Sequence, residues 1–253
     1  MQVVVHGRIV TYSKTGVGPL ILALHGWADS AATFDQLTAE FKKDYTVLAP
    51  DLAGFGGSEA PAEAWGLNDY ATSVAEFLKK VNVSQRDVQL ILGHSNGGAI
   101  AIQGLASGTL QAKKLILLAS AGVRSEQSGR KKMLAVAAKG GKLATLLLPK
   151  TKRQALREHF YKKIGSDLLI APHMEATFKK VVQQDIQDIA GLITIPTLLI
   201  YGALDTQTPP HYGQLLKDRI KNSRLEVLPD LSHFLHQVSG LSIAQLIKGF
   251  DAP

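Results

Sequence analysis

The stretch Val88-Gln89-Leu90-Ile91-Leu92-Gly93-His94-Ser95-Asn96-Gly97-Gly98 changes its pattern halfway, and that change decides the fold. Val88 to Leu92 is a short, mostly apolar run closed by glycine, as expected of a strand buried on both faces. After it, from about Asn96 to Ala106, apolar residues fall at helical spacings. Between the two lies a turn in which one serine is flanked by glycines. A serine on so tight a strand-to-helix turn stands clear at the strand's C-terminal edge, and glycine is required wherever a side chain would strike the adjacent strand or helix. The start of the helix aims free N–H groups at the same place, so negative charge developing beside Ser95 would meet oriented donors.

Outward from this unit, similar buried runs recur at Leu20–Leu24, Thr46–Ala49, Lys114–Ala119, Thr197–Tyr201 and Leu225–Leu228. Helical spacing of apolar residues marks Ala31–Phe41, Tyr70–Val81, Gly97–Ala106, His211–Ile220 and Leu235–Phe250. Strands alternating with helices of this length give βαβ units. The class is therefore α/β, with a mostly parallel sheet and helices on both faces. Ahead of it, Gln2–His6 and Arg8–Tyr12 are separated by Gly7 and predict an N-terminal antiparallel hairpin. The alternation breaks once, from Gly122 to about Gln187, where the sequence is basic and helix-favouring over 129–139, 152–163 and 174–187. An insertion of this kind reads as a helical lid, or cap, over one end of the sheet. The expectation is a single domain over 1–253 with an inserted cap at 122–187.

With 253 residues, 45% of them hydrophobic, the chain can bury one substantial core. It has no cysteine, so disulfides, a thiolate nucleophile and cysteine metal sites are excluded, which suits a reducing compartment. The beginning lacks the pattern of a secretory leader and no apolar run reaches about 18 residues, so a cytoplasmic protein is expected.

A serine hydroxyl is a weak nucleophile until a base takes its proton, and the base must itself be oriented by an acid. Asp205, in Gly202-Ala203-Leu204-Asp205-Thr206-Gln207-Thr208, follows the run Thr197–Tyr201. Open α/β sheets place their sites at such strand ends. After Leu225–Leu228 comes Pro229-Asp230-Leu231-Ser232-His233-Phe234-Leu235-His236, with two histidines. His233 falls in the loop and is the candidate base, whereas His236 opens the last helix and suits packing. The candidate catalytic set is Ser95, Asp205 and His233, in the order nucleophile, acid, histidine.

These residues, in this order and at these strand ends, make the whole chain resemble a lid-bearing α/β-hydrolase. His25-Gly26-Trp27, just after Leu20–Leu24, resembles that superfamily's oxyanion loop, and the resemblance implies an oxyanion hole formed by the backbone N–H groups of Trp27 and Asn96. Asp51-Leu52-Ala53-Gly54-Phe55-Gly56-Gly57-Ser58 resembles its D-x-x-G-x-G-x-S turn, a structural element that builds the floor of the site. Related dehalogenases and epoxide hydrolases carry aspartate where Ser95 stands. Carbon–carbon bond hydrolases of ring-fission products usually carry Gly-Asn-Ser where this chain has Gly93-His94-Ser95, and prolyl aminopeptidase relatives carry Gly-Gly-Ser-Trp-Gly. The resemblance therefore implies a serine hydrolase of the esterase, thioesterase or perhydrolase-like branch acting on a small-molecule acyl substrate without cofactor or metal. Asn96 stands where Met or Gln is common and changes the acyl pocket. A C–C bond hydrolase and a ligand-binding sensor that keeps the fold are the alternatives.

The remaining singled-out residues suit structural roles first. His25 packs beneath the oxyanion loop and His94 steadies the turn, while His159, His173 and His211 lack metal-ligand spacing. Trp65, Met133, Phe160, Tyr161, Met174 and Phe178 suit either a pocket wall or lid core. The net charge is +7, and Gly122 to Asp185 holds 14 Lys or Arg against 5 Asp or Glu, which leaves the rest of the chain slightly acidic. A solvated helical face is the first explanation. Weak attraction of an anionic membrane or anionic substrate is the second. No nucleic-acid module accompanies these lysines, so no nucleic acid is expected.

Overall fold

The computed structural model describes residues 1–124 and 171–252. The helices expected over 129–139 and 152–163, with Met133, His159, Phe160 and Tyr161, lie outside the described residues.

The hairpin β1 (Gln2–Val5) and β2 (Arg8–Gly16) opens the chain, followed by β3 (Leu20–Leu24), β4 (Thr46–Pro50), β5 (Val88–His94), β6 (Lys114–Leu118), β7 (Thr197–Gly202) and β8 (Ser223–Leu228). They form one eight-stranded sheet in the order β1-β2-β4-β3-β5-β6-β7-β8. β1 and β2 pair antiparallel, as do β2 and β4, and every later pairing is parallel. β2 runs beyond the expected Tyr12 because its second half has β4 as a partner.

The helices are α1 (Asp35–Phe41), α2 (Leu67–Lys80), α3 (Asn96–Ala106), α4 (Glu175–Val181), α5 (Gln187–Ala190), α6 (Pro210–Arg219), α7 (Leu235–Val238) and α8 (Gly240–Asp251). All of β3 is buried, and its alternating side chains serve two cores. Leu20, Leu22 and Leu24 pack into the layer of α2, α3 and α6 on one face, whereas Ile21 and Ala23 pack toward α1 and α8 on the other. The period of two along a strand and covering layers on both sides explain why these runs carry almost no polar residue. Each fully buried Leu or Ile here contributes roughly 1.5–3 kcal/mol relative to exposure.

Four expectations are corrected. Leu225–Leu228 is not buried on both faces: β8 is the outer edge of the sheet, and Val227 is 42% exposed. Ala31–Phe41 is not one helix, since a 3-10 turn over Ala31–Phe34 precedes α1. Leu235–Phe250 is likewise broken at Ser239 into α7 and α8. Within 174–187, the helix α4 ends at Val181, and α5 begins only at Gln187.

The chain leaves β3 toward β4 on one side and returns to β5 on the other, so the direction of winding reverses between β3 and β5. Loops at the C-terminal ends of two such strands diverge and leave a crevice. β3 and β5 are neighbours with Leu24 opposite Gly93, which sets the loop after Leu24 beside the turn after Gly93.

Candidate active site

Ser95 occupies that turn, with φ 50° and ψ −116°. A non-glycine residue at positive φ is held against its own preference, and such strain persists only where the surroundings fix it. Here the Ser95 N–H donates to the Leu118 carbonyl at 3.0 Å, and the Ser95 carbonyl accepts from Ala121 at 3.0 Å and Gly98 at 3.0 Å. The glycines make the approach feasible. A Cβ on Gly93 would lie 2.6 Å from the Gly98 Cα, and one on Gly97 would run into the carbonyls of Leu24 and His25.

The loop His25-Gly26-Trp27 lies directly against this turn: a Cβ on Gly26 would be 3.3 Å from Ser95 Cβ and 3.1 Å from His94 Nδ1. His25 is fully buried. Its Nδ1–H donates to the Gly26 carbonyl at 2.8 Å and its Nε2 accepts from the Leu52 N–H at 2.8 Å, so one neutral tautomer satisfies both. Burial lowers its pKa and outweighs the nearby Gly26 carbonyl, Asp29 and Asp51. The Asp51–Ser58 turn closes the floor. Asp51 Oδ1 accepts from the Ala31 N–H at 2.7 Å, its Oδ2 accepts from the Gly57 N–H at 2.8 Å, and Ser58 Oγ donates to the Asp51 carbonyl at 2.7 Å.

Asp205 and His233 meet at the ends of β7 and β8. His233 Nδ1 lies 2.8 Å from Asp205 Oδ2, and both residues are buried. An ionised carboxylate can only accept, so Nδ1 carries the proton and Nε2 is left as a base. Asp205 Oδ1 accepts from the N–H groups of Gln207 at 2.8 Å and Thr208 at 2.9 Å. The Thr208 hydroxyl stands 2.7 Å from Asp205 Oδ2, 2.9 Å from the Ala119 carbonyl and 3.1 Å from His233 Nδ1. Burial raises the Asp205 pKa, but its bonds and charge interaction with His233, together with the bonds from Thr208, outweigh it and leave the pKa lowered.

His94 connects the serine turn to the histidine loop. Its Nε2–H donates to the His233 carbonyl at 3.1 Å, and its ring centroid lies 4.9 Å from that of His233 and 4.4 Å from that of His236. Burial, followed by the charges of His236 and His233, lowers the pKa of His94 well below the usual histidine value. His236 is also buried. Its Nε2 is 2.9 Å from Thr33 Oγ1, and burial lowers its pKa to about 4.

A cavity of about 200 Å³ opens beside Ser95, with Trp27, Asn96, Arg124 and Phe178 among its lining residues. Of Trp65, Met174 and Phe178, only Phe178 joins Trp27 in lining it. Met174 lies in the core under Gly54, and Trp65 packs on Tyr70 with the Arg8 guanidinium over its ring. Ser95 Oγ has no hydrogen bond among the described residues; Asp205 and His233 are in direct contact, and His94, the neighbour of Ser95 in the chain, bonds to the His233 carbonyl. Catalytic hydrogen bonds are often long in unliganded sites. Thr208 and Arg124 carry no role in the sequence reading. Thr208 had a usable signal, the spacing Asp205-x-x-Thr208 that folds a hydroxyl back onto the carboxylate. Arg124 had none beyond membership of a basic segment. Among the described residues no group of three His, Asp or Glu forms a metal site, and no helix is long and apolar enough to cross a membrane.

Comparison with known proteins agrees with this architecture. The chain is similar to the AB hydrolase superfamily protein YisY of Bacillus subtilis, 27% identical with 93% of this chain and 92% of the relative covered. It is similar to a pimeloyl-acyl-carrier-protein methyl ester esterase of Aeromonas hydrophila, 27% identical over 88% of this chain and 92% of the relative. In three dimensions it superposes on the enol-lactonase of Burkholderia xenovorans with a TM-score of 0.76, at 21% identity, with 99% of each chain covered. Residues 17–238 match the family described as Serine aminopeptidase, S33. The chain therefore belongs to the serine aminopeptidase S33 family and is an enzyme of the α/β-hydrolase superfamily.

Proposed function

We propose that the chain is a serine esterase that works through Ser95, His233 and Asp205 and an acyl-enzyme. The observation that carries this reading is the buried His233–Asp205 pair at 2.8 Å, tied through His94 to a serine held at positive φ. His233 Nε2 takes the Ser95 proton as Oγ attacks the ester carbonyl. Asp205 holds the imidazole in the productive tautomer and stabilises the imidazolium that forms. The backbone N–H groups of Trp27 and Asn96 face the developing oxyanion. His233 then returns its proton to the leaving alcohol, and water, deprotonated by His233, releases the acid.

An ester fits better than a peptide with a free amino terminus. The described residues lining the cavity include an arginine and no carboxylate to anchor an ammonium group. The likeness to a methyl ester esterase supports the same choice. The reading extends to one domain whose 122–187 segment caps the site, supported by Val123, Arg124, Phe178 and Val181 in the cavity wall.

Turnover of p-nitrophenyl acetate and butyrate by the wild type and by Ser95→Ala tests the proposal. The expected loss in the mutant is at least about a thousandfold. A wild type no faster than Ser95→Ala, or unlabelled by a fluorophosphonate, would leave a ligand-binding sensor as the better description.

A further inference from the structure

We infer that the acyl pocket of this enzyme is built for a short acyl group ending in a carboxylate, so that its substrates are half-esters of small dicarboxylic acids. This rests on the serine esterase reading above and names its substrate class.

Six buried side-chain polar atoms among the described residues have no hydrogen-bond partner, and three of them, Trp27 Nε1, Asn96 Nδ2 and Arg124 Nε, belong to residues in the wall of the cavity beside Ser95. All three are donors. Buried donors are almost always paired, because an unpaired one forfeits its hydration, and a cluster of them marks a place where something else supplies the acceptor. Arg124 sharpens the point. Its guanidinium makes no hydrogen bond or ion pair with any described residue, and only its backbone carbonyl is engaged, by Gln187 Nε2 at 2.8 Å. A half-buried cation with no counter-charge among the described residues gains from a carboxylate entering the cavity, which supplies charge-assisted hydrogen bonds.

Asn96 is 5% exposed and lines the same cavity as Ser95. Rotation about its last torsion, which is broad for amides, turns the donor toward the cavity. The apolar part of the wall, Leu67, Ala99, Val181 and Phe178, leaves room for methylene groups between the two polar ends. The cavity, of about 200 Å³, is small, and succinyl is a short acyl group with a carboxylate at its far end.

The test compares monomethyl succinate with methyl isocaproate, in which an isopropyl group replaces the distal carboxylate at nearly equal volume. The ratio of kcat/KM for the two is expected to favour the half-ester by at least about tenfold in the wild type. Arg124→Met is expected to lower that ratio at least about tenfold, and Arg124→Lys to retain part of it. A wild type that treats the esters alike or prefers isocaproate, or a ratio unchanged in Arg124→Met, overturns the inference. Should Arg124→Met fail to fold, calorimetric titration of the wild type decides: succinate binding more tightly than isocaproate supports the inference, and equal or weaker binding overturns it. Ser95-dependent hydrolysis of p-nitrophenyl butyrate with no preference for the half-ester leaves the esterase reading standing and removes only this one.

Discussion

Thr208 holds the acid of the site by its amide and its hydroxyl. Its amide donates to Asp205, and its hydroxyl, within reach of both Asp205 Oδ2 and the Ala119 carbonyl just past β6, shares its one proton between them. Thr208→Val keeps the shape and removes the hydroxyl. It should lower kcat/KM for p-nitrophenyl butyrate by about tenfold or more, the equivalent of one lost buried hydrogen bond of about 1–3 kcal/mol, with most of the loss in kcat. Asp205→Asn should be far worse, at about a thousandfold or more, because an amide can present its NH2 to Nδ1 and select the wrong tautomer. Steady-state kinetics on the two variants, with circular dichroism to establish folding, separates the effects. Asp205 and His233 were legible in the sequence because each follows an apolar run, and strand ends are where the fold delivers its chemistry. Thr208 was legible only in its spacing from Asp205; its contact with the Ala119 carbonyl was not, since only the pairing of β6 and β7 brings that carbonyl near.

At the scale of elements, the β5-to-α3 turn owes its shape to the absence of side chains. Gly97→Ala places a methyl group against the carbonyls of Leu24 and His25, backbone atoms at the end of β3 that cannot move without parting β3 from β5. The expected cost is about 3 kcal/mol or more, at the upper end of overpacking, read as a lowered midpoint in urea. Gly249 in α8 is the contrasting case. A Cβ there meets nothing within 4 Å, and Gly249→Ala should stabilise the protein by about 0.5–1 kcal/mol through helix propensity. If the two substitutions have similar effects, the close approach at Gly97 is not what fixes the turn. The turn was readable because glycines, apolar run and helix coincide in a single stretch. The edge position of β8 and the break at Ser239 were not. Leu225–Leu228 is mostly apolar, with Glu226 its one charged residue, and its exposure follows from having a partner on one side only.

For the molecule as a whole, three neutral histidines packed around the ends of the sheet tie stability to pH. The winding order that gathers them was not legible from the alternation of strands and helices, which leaves the order across the sheet open. His25, His94 and His236 are all buried, and burial lowers the pKa of each. In the unfolded chain they bind protons below about pH 6.5, while the native state refuses them until its own lower pKa values, about 4 for His236. The unfolded state therefore holds more protons over this window, and stability falls with falling pH by about 1.4 kcal/mol per unit for each histidine. Asp205 has the same sign lower down: its depressed pKa contributes stability above the ordinary carboxylate range, and this is lost as pH falls through the folded value. Urea unfolding should thus be flat near neutrality and steepen below about pH 6.5. His236→Phe removes one of the three, and the Thr33 hydroxyl keeps Gln237 Nε2 as a partner at 2.7 Å. Its decline toward acid should be shallower than that of the wild type by about 1.4 kcal/mol per pH unit. Parallel declines in the two proteins would mean that the acid sensitivity comes from carboxylates, and that burial of His236 is not what the native state defends.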